Sequence, residues 1–191
     1  VCKSEKLAQK MRLIREHGIN KDKKFFNRED GPWHYEQTLL GYNYRMNDVQ
    51  AALGISQMKK LDKFVKIRND QAEFYNNHLA HLPIHLPQSD KSKKSSYHLY
   101  IIRTILDTEL KQKKEIFKKL HSKKIFVGLH YIPIYRHPFY KNFAYDFNDY
   151  PNSELFYRTA ISLPIYPSLT KNDQEYVINH LGDILSDIEH S

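Results

Sequence analysis

GYNYRMNDVQAALG, residues 41–54, runs from a polar, aromatic loop straight into a helix of small residues. Asn47 or Asp48 stands where a side chain can accept from the first free backbone N–H groups of a helix, so the spacing predicts a helix from about Asn47. Ala51, Ala52 and Gly54 keep one face of that helix narrow enough for another backbone to approach. Just upstream, Tyr42, Asn43, Tyr44 and Arg45 bring two phenolic hydroxyls, an amide and a planar fork of guanidinium donors. That set suits phosphate and sugar oxygens. The same residues also read as a surface turn with a solvated arginine, and a short motif alone does not choose between the two.

Working outward, residues 4–17 predict a helix with Ser4 as its cap and Leu7, Met11 and Ile14 on one face, ended by Gly18. Residues 20–36 are polar, charged and aromatic, with a turn at Gly31 and Pro32, and read as an irregular excursion. After the helix at Asn47, a second one carries Leu61, Phe64, Val65, Ala72, Tyr75 and Leu79 at helical spacing, a stripe for core or interface packing. Pro83 and Pro87 break that pattern, and residues 88–96 form a lysine-rich linker. Beyond it the pattern predicts a strand at 97–104, a helix at 110–121, a strand at 125–130, a helix at 152–160 and an amphipathic helix at 173–188. The alternation implies an α/β fold with helices packed on a small sheet. The expected division is residues 1–82 and residues 83–191.

A second polar and aromatic constellation lies at the end of the expected 125–130 strand: His130, Tyr131, Pro133, Tyr135, Arg136, His137, Pro138 and Tyr140. Strand ends are where α/β folds place ligand groups. His130 can exchange protons near neutral pH, and Tyr131 and Tyr135 can bond sugar hydroxyls or stack on a ring. A proline-stiffened loop whose aromatics only pack against one another is the competing reading.

Composition narrows the function classes. The 191 residues suffice for one good core, or for one domain and a piece of another. The formal charge of +8 and the 14 tyrosines invite a nucleic-acid reading. The lysines, however, are dispersed in short patches at 21–24, 91–94, 111–119 and 123–124, with no recognised binding signature beside them. A positive field of this kind also draws in a nucleotide diphosphate sugar. The single Cys2 excludes an internal disulfide. No leader-like segment or run of about 20 apolar residues is present, so a cytoplasmic location is expected. His78, His81 and His85 have suggestive spacing, but Pro83 interrupts them and no acidic or cysteine partner is near, so no metal site is expected. The six glycines never take dinucleotide or P-loop spacing.

Residues 41–64, GYNYRMNDVQAALGISQMKKLDKF, with Arg68 and Tyr75 beyond them, resemble the signature of the DegT/DnrJ/EryC1/StrS sugar aminotransferases, which use pyridoxal 5'-phosphate (PLP). The resemblance extends through REHGI at 15–19, PWHYEQTLLGYNYR at 32–45, SSYHLYIIR at 95–103, VGLHYIPIYRHPFY at 127–140 and SLPIYPSLT at 162–170. Through WHYEQ, HYIPIYRHPFY and SLPIYPSLT it is similar to the branch of pseudaminic acid biosynthesis that aminates a UDP-linked 4-keto-6-deoxy amino sugar. This resemblance implies the C-terminal part of a fold-type I PLP-dependent aminotransferase, comprising the end of the large domain and a small α/β domain. It implies L-glutamate as amino donor and C4 of the UDP-sugar as acceptor. The Schiff-base lysine is expected upstream of the matched region, so no catalytic residue is assigned within the chain, and the chain by itself is expected to be inactive.

By the same resemblance, Asn43 reaches the cofactor phosphate of the neighbouring subunit, giving a homodimer with a shared active site. Tyr42 and Arg45 lie near that site, and His130, Tyr131 and Tyr135 reach toward the nucleotide sugar. Arg15 and His17 resemble a family motif, although a helix end also favours a cation. Glu36 lies in a matched segment without an assigned role. A noncatalytic nucleotide-sugar-binding or interaction module is the alternative.

Overall fold

The computed structural model describes residues 2–88, 90, 92–105, 110–143 and 146–189. They fall into two compact units, Val1–Lys59 and Lys60–Ser191.

The first unit opens with helix α1 (Glu5–Arg15), whose N-terminus is capped by the Ser4 hydroxyl accepting from the Leu7 amide. The helix ends where His17 and Gly18 both take positive φ, +61° and +71°, and the Gly18 N–H returns to the Leu13 carbonyl at 2.8 Å. This reversal delivers β1 (Ile19–Asn20) antiparallel to β2 (Glu36–Gln37). The excursion between them contains one 3₁₀ turn, Lys23–Phe25. It is pinned by Glu36, whose carboxylate accepts from the Asn27 amide at 2.9 Å, the Asn27 side chain at 2.8 Å and the Arg28 amide at 3.2 Å. These donors, the Asn27 backbone N–H foremost, hold the Glu36 carboxyl below the usual carboxylate range.

After β2 the chain runs antiparallel beside the end of α1 and enters α2 (Asp48–Met58). Of the two caps open to the sequence, Asn47 takes the role. Its side chain accepts from the Gln50 amide at 2.9 Å, and the Gln50 side chain accepts from the Asn47 amide at 3.1 Å. No residue of α2 is buried, and a Cβ added at Gly54 would meet nothing within 4 Å. At Gly54, therefore, no backbone lies against that face among the described residues.

The second unit holds the hydrophobic core. Its sheet has three antiparallel strands in the order β3 (Ile84–His85), β4 (Tyr100–Thr104), β5 (Ala160–Leu163). In β4, Tyr100, Ile102 and Thr104 are buried in strict alternation, as a strand with one covered face requires. All four residues of β5 are buried. The helices are α3 (Leu61–Leu79), α4 (Leu110–Ser122), α5 (Pro151–Thr159) and α6 (Lys171–Glu189), with α6 packed on both α3 and α4. Ala72, Tyr75 and Leu79 of α3 join Ile116 and Leu120 of α4 and Val177, Leu181 and Leu185 of α6 in one cluster. Each such aliphatic side chain contributes roughly 1.5–3 kcal/mol by leaving water.

Polar ties fix the segment after β5 to α3. Gln71 Nε2 donates to the carbonyls of Tyr166 and Leu169 at 2.9 and 3.0 Å, and the Tyr75 hydroxyl donates to that of Pro164 at 3.0 Å. Lys113 of α4 is also buried. Its ammonium donates to the Tyr157 carbonyl at 2.5 Å beside the Phe117 and Tyr157 rings, and burial lowers its pKa to about 8.

Several expectations change. Residues 125–130 form no strand: Gly128 alone bridges Ser162, on the edge of β5 that β4 does not use. The expected strand 97–104 starts at Tyr100, since Tyr97 has φ +42°, outside the extended region. The expected helix 152–160 ends at Thr159, and Ala160 opens β5, a strand that the sequence reading did not identify. The stripe on α3 is core packing at Ala72, Tyr75 and Leu79, while Leu61 is exposed. The compact units of the chain divide at Lys59 and Lys60, with α3 packed into the second, which leaves the expected division at 82 and 83 a separate reading of the sequence. Of the expected linker 88–96, residues 89 and 91 lie outside the described residues.

Candidate functional site

In the first unit, the loop at 41–45 is held by two glycines at a backbone crossing. A Cβ on Gly41 would lie 2.2 Å from the Gly18 nitrogen, and one on Gly18 would lie 1.8 Å from the Leu39 carbonyl oxygen. No side chain fits at either place, so the two segments approach closely enough for three backbone hydrogen bonds. Tyr42 N–H donates to Ile14 at 2.7 Å, His17 N–H to Tyr42 at 2.9 Å and Tyr44 N–H to Arg15 at 3.0 Å. The alternating strand geometry then turns successive side chains to opposite sides. Tyr42 and Tyr44 stack, with ring centroids 4.8 Å apart and planes 10° apart. Arg45 Nη1 donates to both carboxylate oxygens of Glu16, at 2.9 and 3.3 Å, and this pairing holds the Glu16 carboxyl below its usual range. Asn43 is exposed, and its side-chain amide has no hydrogen-bond partner among the described residues.

Tyr42, Asn43 and Arg45 are thus neighbours along one loop, with Tyr42 stacked on Tyr44 and Arg45 paired with Glu16. Asn43 offers two free N–H donors and one acceptor, the tyrosines offer exposed hydroxyls, and Arg45 is a cation whose charge is already partly balanced by Glu16. This donor set fits the phosphate end of a cofactor. His17 is taken up in the reversal at the end of α1. Glu36, which the sequence left without a role, is the anchor of the 20–36 excursion.

In the second unit, His130 and Tyr131 follow the Gly128 bridge to β5. His130 Nδ1 lies 2.8 Å from the Ser162 hydroxyl, a contact that orients the ring and leaves Nε2 for another partner. The Tyr131 ring meets the His130 ring edge to face at 4.8 Å and is 72% exposed. Tyr135 is differently placed. Its hydroxyl donates to Glu154 Oε1 at 3.1 Å, and its ring stacks on Tyr150 at 4.7 Å. Arg136 donates through Nε to Glu154 Oε1 at 2.8 Å and through Nη2 to Oε2, while its guanidinium lies 4.6 Å from the Phe147 ring and 4.7 Å from the Tyr157 ring.

Two residues of this region escaped the sequence reading. Ser162 sits in a quoted motif but carries no mark of its partnership with His130, 32 positions away. Glu154 is one acid on an amphipathic helix, and nothing local distinguishes it. Among the described residues, no group of three His, Cys, Asp or Glu side chains is placed to hold a metal, and no helix is long and apolar enough to cross a membrane.

Comparison with known proteins adds to this geometry. A family model described as the DegT/DnrJ/EryC1/StrS aminotransferase family matches residues 1–182. A UDP-4-amino-4,6-dideoxy-N-acetyl-beta-L-altrosamine transaminase of Campylobacter jejuni is 36% identical over 190 residues, covering 99% of this chain and 48% of the relative. Among solved structures, the PMP form of a putative sugar aminotransferase, Spr1654 from Streptococcus pneumoniae, superposes with a TM-score of 0.87 at 26% identity, over 98% of this chain and 47% of that one. Helicobacter pylori PseC, an aminotransferase of pseudoaminic acid biosynthesis, superposes with a TM-score of 0.82 at 29% identity, over 96% and 47%. The chain spans about half the length of the curated relatives it matches.

Proposed function

The chain belongs to the DegT/DnrJ/EryC1/StrS aminotransferase family, and on that premise we propose that the protein transfers an amino group from L-glutamate to C4 of a UDP-linked 4-keto-6-deoxy amino sugar, with PLP as cofactor. The observation that carries this reading is the 41–45 loop, where the glycine crossing carries an unpartnered Asn43 amide, two stacked and exposed tyrosines, and Arg45 paired with Glu16. Asn43 would hold the cofactor phosphate by donating its amide hydrogens. Arg45, with Glu16 limiting its net charge, would bind sugar or phosphate oxygens beside Tyr42. In the family-based reading Asn43 serves the neighbouring subunit of a homodimer, whose active site is shared.

The second unit would hold the nucleotide sugar. His130, oriented by Ser162, offers Nε2 to a sugar hydroxyl, and the exposed Tyr131 ring offers a flat face and a hydroxyl. The Tyr135 hydroxyl donates a hydrogen bond to Glu154, and from that fixed position the residue would line the sugar site. PLP, when bound, supplies the electron sink that transamination needs. Each set of residues would bind and orient its own ligand.

The test uses the full-length protein loaded with PLP. Addition of L-glutamate should convert the cofactor spectrum to that of the amino form, and addition of the UDP-4-keto-6-deoxy sugar should restore it and yield the 4-amino sugar. Binding of the nucleotide sugar with no spectral change would favour a noncatalytic binding module instead. Asn43→Ala should weaken cofactor retention by roughly tenfold or more, the worth of a hydrogen bond to a charged group. Unchanged retention, measured by dialysis and absorbance, would remove Asn43 from the phosphate site.

A further inference from the structure

The loop from Gly128 to Arg136 is tied down at both ends and free in the middle. At its start, Gly128 exchanges two backbone hydrogen bonds with Ser162 of β5, at 3.1 and 2.8 Å, and His130 contacts the hydroxyl of the same serine. At its end stands Glu154 in the first turn of α5, 5% exposed. This one carboxylate receives the Arg136 guanidinium through both Nε and Nη2 and the Tyr135 hydroxyl, and has Arg158 Nη2 at 3.7 Å. Between the anchors, Tyr131, Ile132 and Ile134 are exposed.

A buried carboxylate is costly unless its oxygens are occupied by donors, and here both oxygens are. Arg136 holds the Glu154 carboxyl below its usual range and is itself held above its own, so the pair is charged throughout the neutral region. A planar fork bonded through two nitrogens fixes direction as well as distance. The rings of Phe147 and Tyr157 at the guanidinium, and Tyr150 at the Tyr135 ring, leave both side chains little freedom to reorient.

We propose that Glu154 is a positioning residue: by fixing Tyr135 and Arg136 it sets the pose in which the loop presents His130 and Tyr131 to the nucleotide sugar. Glu154 acts through the loop and not on the ligand. The inference rests on the assignment of this loop to the nucleotide sugar, but its structural half is testable without that assignment. No local residue pattern in the sequence singles out Glu154, because Arg136 and Tyr135 lie 18 and 19 positions away.

The experiment compares full-length wild type with Glu154→Gln and with Arg136→Lys, the second keeping the charge while losing the fork. Limited trypsin digestion reads the anchor directly, through the rate of cleavage after Arg136. Steady-state kinetics then separate KM for the nucleotide sugar from the glutamate half-reaction. Glu154→Gln should speed cleavage after Arg136 about tenfold and raise KM for the nucleotide sugar roughly tenfold to a hundredfold, as misplaced binding groups do. The glutamate half-reaction and cofactor content should stay at wild-type values, and Arg136→Lys should fall between.

Unchanged cleavage in Glu154→Gln overturns the anchor and the proposal with it. Faster cleavage with unchanged KM overturns the positioning role. Should wild type show no transamination at all, the functional assignment fails separately, and binding of UDP to wild type and Glu154→Gln replaces KM as the second readout, equal affinity counting against the proposal. If Glu154→Gln does not fold, Arg136→Lys carries the same two comparisons.

Discussion

The two compact units of this chain hold their shape by different means. In residues 60–191 a sheet and four helices close over one apolar cluster, with Tyr75, Ile102, Leu120, Leu181 and Leu185 fully buried. In residues 1–59 the only buried residue among those described is Gly18. The first unit relies instead on helix caps, a two-residue β pairing, the Glu36 anchor and the backbone crossing at Gly18 and Gly41. Its apolar side chains face outward: Val49 is 80% exposed, and Trp33, Leu40, Leu53 and Met58 are exposed as well. Hydrogen bonds that remain open to water contribute little net stability, whereas burial contributes with each side chain removed from it. The two candidate regions thus stand on different foundations, Asn43 on a backbone crossing and His130 on a packed domain.

The comparison can be broken most sharply by truncating leucines. Leu181→Ala should destabilise the second unit by about 2–5 kcal/mol, the cost of a core cavity, while Leu53→Ala should stay within about 0.5 kcal/mol in the same urea titration. Equal effects would mean that α2 is buried in solution. Gly41→Ala should come next, at roughly 1–3 kcal/mol, because its methyl would sit 2.2 Å from the Gly18 nitrogen and the crossing must open. Hydrogen exchange should then quicken at the amides of His17, Tyr42 and Tyr44 and not at Gly128 or Ser162. Loss of protection across both units would erase the distinction between them.

The last effect is one of pH. The folded-state pKa of Lys113 is about 8, below its unfolded value of 10.5, so between these limits the unfolded chain binds the extra proton. Its burial penalty is therefore present below pH 8 and fades as pH rises toward 10.5. Wild type should gain stability relative to Lys113→Met across that window, read as a narrowing or reversal of the difference in melting temperature. A difference that is flat with pH would place the ammonium in water.

What was legible in the sequence was mostly local. Ser4 and Asn47 cap their helices through partners three residues away, and the helices at 110–121 and 173–188 follow from their apolar spacing to within two residues. The family resemblance lay in continuous motifs and holds over residues 1–182. The strand expected at 125–130 failed because apolar alternation shows only that a segment is suited to a sheet, while a ladder needs successive residues in register with a partner edge. Only Gly128 meets β5 in that way.

The sequence by itself determined the Ser4 cap, the helical faces, the donor-rich character of residues 42–45 and the family, and narrowed the second cap to Asn47 or Asp48, because each depends on residues a few positions apart or on contiguous motifs. The tertiary structure decided that Gly41 must be glycine because Gly18 lies against it, that His130 is oriented by Ser162, and that Tyr135 and Arg136 converge on Glu154. It also joined α3 to the second unit. Those partners are 18 to 32 positions apart in the chain, brought together by the backbone crossing in the first unit and by the packed core in the second.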